Sequence, residues 1–143
     1  MHTFPDAKAV ARALCPDEPV ILNRPHAARR AARYFVDRFP GKVLYAVKAN
    51  PAPDLIAVLW GAGVTHYDVA SIAEVRLVRG VLPEANLCFM HPIKRRRAIA
   101  EAYHEHGVKT FSLDTLEELE KIVEACANPE TGEPATDLRL CVR

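Results

Sequence analysis

The sequence predicts an α/β fold, the N-terminal part of a (β/α)8 TIM-like barrel. Three observations lead there. From residue 43 onward, short apolar runs alternate with amphipathic stretches of helical period. The runs are apolar at successive positions, as in parallel strands buried on both faces. The turn after the run at 43–49 reads KANPAPD, with no glycine, where an open dinucleotide-binding sheet would place G-x-G-x-x-G.

EPVILNR (18–24) reads as a first strand, and PHAARRAARYFVDRF (25–39) as a helix with Pro25 in its first turn. VLYAVKA (43–49) is the next strand. APDLIAVLWGAG (52–63) is a helix closed by Gly61 or Gly63. HYDVAS (66–71) is a strand whose Ser71 caps the helix IAEVRLVRGV. NLCFMHP (86–92) is a strand, and KRRRAIAEAYHEHG (94–107) a helix stopped by Gly107. KTFSLD (109–114) is a strand, with Asp114 or Thr115 capping TLEELEKIVEACA (115–127). A polar Pro/Gly loop (127–137) leads to a last strand, LRLCVR (138–143). A complete barrel takes about 200 residues or more. The expectation is therefore an N-terminal extension (1–17) and an incomplete barrel (18–143), truncated after its fifth barrel strand, with open edges that favour association.

Half of the residues are hydrophobic and the formal net charge is +1, which gives no reason to expect a nucleic-acid or membrane partner. The basic run KRRRA (94–98) lacks interleaved aromatics and reads as a solvated helix face. No run of about 18 apolar residues could span a bilayer. The N-terminus MHTFPDAKAVARAL carries an aspartate and no apolar h-region, so a cytoplasmic protein is expected. Cys15, Cys88, Cys126 and Cys141 form no C-x-x-C pair, and no metal site is expected. Cys88 and Cys141, inside strands, read as small buried hydrophobes. His104 and His106 are two apart on a helix, point to different faces and read as solvated.

In either α/β architecture chemistry sits at the C-terminal ends of the strands. Those ends carry Lys48, Ala49 and Asn50; Asp68, Ala70 and Ser71; His91 and Pro92; Asp114; and Arg143. Each has a structural explanation taken alone: Lys48 as a strand-end lysine with its head in water, Asp68 and Asp114 as partners of helix N-termini, His91 as a turn residue. Their convergence on one rim favours function. Strand alternation places Leu44, Ala46 and Lys48 on one face. A desolvated lysine there would be a nucleophilic amine, with small Ala46 leaving room beside it.

YAVKANP (45–51), HYDVASIAEV (66–75), FMHPIK (89–94) and TFSLDTLEELEKI (110–122) occur in an order that resembles the pyridoxal-phosphate-dependent ornithine/diaminopimelate/arginine decarboxylases. These have an alanine-racemase-like barrel. The YDVAS block with Glu74, together with HPIK, looks closest to the ornithine decarboxylase branch. The resemblance implies that Lys48 bonds covalently to pyridoxal 5'-phosphate, and that Asp68 is its electrostatic partner. It implies that Arg143 reaches the cofactor ring. Glu74, with Ser71 and His91 nearby, falls near the site, although a carboxylate in the first turn of a helix serves equally as a helix-surface group.

The implied activity is decarboxylation of a basic L-amino acid, ornithine foremost, giving putrescine for polyamine biosynthesis by a homodimer. The family's phosphate-binding segments and C-terminal β domain have no counterpart in these residues, so the resemblance implies a fragment inactive alone. The alternatives are a diaminopimelate decarboxylase, a racemase-like enzyme on the same barrel, and a non-catalytic decarboxylase-like regulatory protein.

Overall fold

The computed structural model describes residues 3–143. Met1 and His2, the start of the expected N-terminal extension, lie outside the described residues.

Helix α1 (Ala7–Leu14) starts at Asp6, whose Oδ1 accepts from Ala9 N at 2.8 Å. Residues 18–24 do not form the expected strand. They run as exposed irregular chain, with Ile21 89 % exposed. A strand exists only as part of a ladder, and among the described residues no strand pairs with this segment. Helix α2 (Pro25–Arg38) follows, with Pro25 at its start as expected.

Five parallel strands then form one sheet in the order of the chain: β1 (Leu44–Ala46), β2 (His66–Val69), β3 (Asn86–Phe89), β4 (Thr110–Leu113) and β5 (Arg139–Val142). Each crossover moves the chain one strand in the same direction. A doubly wound sheet would reverse its order at a switch point, and this one does not. The arrangement is that of barrel strands, as the sequence predicted.

Helices α3 (Pro53–Trp60), α4 (Ile72–Val81), α5 (Arg96–His104) and α6 (Leu116–Cys126) fill the crossovers. Consecutive helices pack against one another from α2 to α6. Their buried positions recur at helical spacing, as in Val75 and Val78, Ile99 and Ala102, Ile122 and Cys126. These meet the outward-facing strand residues Tyr67, Val69, Leu87, Phe89, Phe111 and Leu113, which are all buried. Each such large side chain contributes about 1.5–3 kcal/mol by leaving water. On β5 the same face is bare: Val142 is 79 % exposed, because no described helix covers it.

The opposite, lumen face is different in kind. In-register partners place Ala46, Asp68 and Cys88 side by side, then Cys88 beside Thr110, and Ser112 beside Cys141. These are small or polar residues where a filled barrel would carry bulky branched ones. Cys88 is buried as expected, whereas Cys141, on the last strand, is only partly covered.

Candidate active site

The site grows from three strand ends. β1 stops at Ala46, and residues 47–49 turn in a 3-10 helix that carries Lys48. Tyr45 Oη donates to Asn50 O at 3.1 Å, and Asn50 Oδ1 accepts from Ala52 N at 3.1 Å, closing an Asx turn. The Asn-Pro sequence thereby fixes where Lys48 departs. Tyr45 also meets Tyr67 edge to face, and Tyr67 Oη donates to Val64 O (3.2 Å) and Ile56 O (3.3 Å), pinning α3 behind the strand.

Two sequence expectations about Lys48 are corrected here. It does not continue the alternation of Leu44 and Ala46, because the backbone leaves the extended conformation at Val47. Nor is it desolvated: β1 is an edge of this sheet, and the Lys48 side chain is exposed.

Asp68, on β2 directly beside Ala46, is half-buried on the lumen face. Burial pushes its carboxyl above the ordinary range, while Lys48 and Arg143 both pull it down. Arg143 is held at the rim by its own backbone, whose N–H donates to Leu113 O at 2.9 Å. An amine from the end of β1, a carboxylate from β2 and a guanidinium from the end of β5 thus share one electrostatic neighbourhood.

The remaining candidates sit beside this group in other tasks. Ser71 Oγ accepts from Glu74 N at 3.3 Å, and Glu74 Oε2 accepts from Ala70 N at 2.8 Å. This is a reciprocal cap that fixes the β2–α4 turn just after Asp68. His91 is exposed and accepts from Ile93 N through Nδ1 at 3.2 Å, holding its own loop. Thr115, one of the two caps foreseen, accepts from Glu118 N, and Asp114 stays exposed.

A buried pair on the same rim escaped the sequence reading. The basic run predicts a solvated face that includes Lys94, but α5 begins only at Arg96, and Lys94 lies in the β3–α5 loop with 4 % exposure. Its Nζ donates to Ser112 O (2.6 Å), His91 O (3.0 Å) and Pro92 O (3.3 Å) and pairs with Glu118 Oε1 at 2.9 Å. Arg95, Arg96 and Arg97 remain exposed as expected. The only signal was a lysine two residues after a strand-ending proline, with a glutamate at the start of a later helix. The histidine reading also changes: α5 ends at His104, and His106, half-buried beyond it, approaches Glu101 at 3.4 Å.

The residues present fit a flat aldehyde cofactor. An exposed primary amine at the end of β1 and a planar cation at the end of β5 both act electrostatically on a half-buried carboxylate of β2, along a lumen face of small side chains. No described helix is long and apolar enough to cross a membrane.

Comparison with known proteins matches residues 25–143 to the family model described as pyridoxal-dependent decarboxylase, pyridoxal binding domain. A lysine/ornithine decarboxylase of Selenomonas ruminantium is 32 % identical over 84 residues, covering 58 % of this chain and 21 % of that protein. An ornithine decarboxylase of Panagrellus redivivus is 38 % identical over 85 residues, covering 59 % of this chain and 19 % of that protein. Among solved structures, the lysine/ornithine decarboxylase of Vibrio vulnificus complexed with putrescine superposes with a TM-score of 0.76. It is 27 % identical and covers 96 % of this chain and 36 % of its own. The chain thus matches about a fifth of the length of these curated relatives and about a third of the structural one.

Proposed function

The chain belongs to the pyridoxal-dependent decarboxylase family through its pyridoxal-binding domain, and from that premise we propose that Lys48 is the covalent anchor of pyridoxal 5'-phosphate in an enzyme that decarboxylates a basic L-amino acid. Ornithine is the foremost substrate, with putrescine as product, and lysine is the next. The ornithine and lysine/ornithine decarboxylases among the relatives support that order. The single observation that carries the reading is the convergence of Lys48 and Arg143 on Asp68. In this reading residues 18–143 form the cofactor-binding unit, residues 1–17 are an extension, and the working enzyme is a cytoplasmic homodimer supplying polyamines.

Pyridoxal phosphate, when bound, supplies an electron sink for the pair left behind as carbon dioxide departs. The chain's own residues do the rest. Lys48 Nζ would hold the cofactor at its aldehyde carbon, since an exposed primary amine is the group that can bond to an aldehyde. Once free, the same Nζ can deliver a proton to the α-carbon. Asp68, half-buried beside it, offers a carboxylate that favours the protonated, positively charged nitrogen near the rim. Arg143 presents a planar fork of donors from the other side. Ser71 and Glu74 keep the turn behind Asp68 from shifting, and act on the chemistry only through it.

The test is release of carbon dioxide from ornithine and from lysine by the cofactor-loaded homodimeric enzyme, because residues 1–143 by themselves are expected to be inactive. Lys48→Ala should remove almost all turnover, and Asp68→Asn should lower it while leaving the fold intact. Turnover retained in Lys48→Ala would overturn the assignment. Exchange of the α-hydrogen without loss of the carboxyl group would favour the racemase-like alternative.

A further inference from the structure

At the opposite, N-terminal ends of the same strands a second group of side chains converges, and the proposed chemistry does not use it. His66 opens β2 on the lumen face, in register with Leu44 of β1 and Asn86 of β3. Lys42 lies two residues before Leu44, and Arg139 opens β5 in register with Thr110. Lys42, His66 and Thr65 line an open cavity of about 230 Å³, whose wall also includes the apolar Val36 and Val43. Thr65 Oγ1 lies 2.9 Å from His66 Nδ1. With the hydroxyl donating there, the ring proton sits on Nε2, which has no partner among the described residues.

The charges of this cluster have one sign. Burial lowers the His66 pKa, and the charges that lower it further are those of Lys42 and Arg139. Among the described residues no carboxylate acts on His66 to offset them, although the chain as a whole is close to neutral. Two exposed cations kept beside an imidazole without an acid cost self-repulsion, and an anion would relieve it.

We propose that the N-terminal mouth of the strand layer is a binding site for a small oxyanion of the phosphate class, held by Lys42 and by His66 Nε2, with Thr65 fixing the ring through Nδ1 and Arg139 adding charge. A tetrahedral oxyanion presents oxygens in several directions, and the donors here come from three different strand starts. A monocarboxylate offers two oxygens in one plane and would satisfy fewer of them. The cavity has room for the ion and a short ester substituent, so inorganic phosphate and a small phosphate monoester share the required chemistry. The site lies across the strand layer from Lys48 and is independent of the cofactor.

The experiment follows the His66 ring by NMR in cofactor-free protein at fixed ionic strength, with His66→Gln used for assignment. Inorganic phosphate, a glycerol phosphate and acetate are titrated separately. Saturable movement of the His66 signal with phosphate, and a rise in its pKa as the bound anion favours imidazolium, are expected. Lys42→Ala and Arg139→Ala should each weaken binding by about tenfold, the size of one charge-assisted contact. Tighter binding of the monoester would identify the ligand as a phosphate ester, and equal binding would identify free phosphate. A linear, unsaturable response, or one unchanged in the Lys42→Ala/Arg139→Ala double variant, would mean an adventitious ion only and overturn the proposal. So would acetate binding as tightly as phosphate. Because His66 and not turnover is read, these outcomes do not depend on the decarboxylase reading.

Discussion

Lys94 Nζ lies 2.9 Å from Glu118 Oε1, and the two side chains, from the β3–α5 loop and the first turn of α6, are almost fully withdrawn from solvent. Glu118 Oε1 also accepts from Lys94 N at 3.1 Å, and its other oxygen pairs with Lys121. The pair ties two consecutive rim loops together. Its two ends are unequally held: Glu118 has a second cation in contact, whereas among the described residues Lys94 has only backbone carbonyls in contact besides Glu118, with Asp114 acting from further off. Glu118→Leu, which strands a buried ammonium, should therefore cost about 3–5 kcal/mol. Lys94→Met should cost less, about 1–3 kcal/mol. The double variant should recover part of the loss, because two apolar side chains of similar volume leave no stranded charge. Urea denaturation of the three variants checks the order, and equal losses for the two single variants would contradict it.

The acid limb of stability carries a signature of the same pair. Burial pushes the Glu118 carboxyl up, but Lys121 and Lys94 outweigh it, and its pKa lies below the ordinary value. A carboxyl depressed by folding adds stability above its unfolded pKa of about 4.3, and that stability is lost as pH falls through the lower folded value. The gap in unfolding free energy between the native protein and Glu118→Gln should thus be full near neutral pH and shrink below about pH 4. A gap that is constant down to the acid transition would count against it.

The turn behind Asp68 depends on the Ser71–Glu74 cap. Ser71→Ala removes the acceptor for Glu74 N and should cost about 1 kcal/mol. Glu74→Ala frees Ala70 N and should cost a similar amount, while Ser71→Asp should be tolerated because it caps equally well. Thermal unfolding measures all three, and loss of stability in Ser71→Asp matching that in Ser71→Ala would refute the capping role.

Gly63 follows α3 with φ +100°, and a Cβ there would stand 3.4 Å from Val36 Cγ1. The left-handed backbone opposes a side chain, whereas the contact itself is ordinary van der Waals packing. Gly63→Ala should destabilise by about 1 kcal/mol or more. Gly80, with nothing within 4 Å of its ideal Cβ and no left-handed backbone, is the control, and Gly80→Ala inside α4 should stabilise. An unchanged Gly63→Ala melting point would show that the α3–β2 turn adapts freely.

Much of this was legible in the chain. The alternation of apolar runs and amphipathic stretches gave every barrel strand, and Ser71 and Thr115 announced their helices by local chemistry alone. The strand over 18–24 was not legible, because strand propensity speaks for a segment and not for the presence of a neighbour to pair with. The site's members could be read from strand ends, but their exposure could not: Lys48 leaves the strand plane only because Asn50 and Tyr45 close a turn beneath it. The burial of Lys94 is not legible because a lysine next to three arginines looks like surface, and the carboxylate that pairs with it stands 24 positions away. Lys42, His66 and Arg139 are too dispersed in sequence for their proximity to be seen before the strands are in register.

The central claim is that Lys48 is the amine that takes up the cofactor, and one measurement tests it most directly. The protein is incubated with pyridoxal 5'-phosphate, reduced with borohydride to fix any covalent link, digested and mapped by mass spectrometry. A pyridoxyl label on Lys48, lost in Lys48→Ala and retained in Lys42→Ala, is the expected result. A label confined to any other lysine, or none at all on protein that demonstrably holds the cofactor, would contradict the account and leave Lys48 a solvated lysine at a strand end.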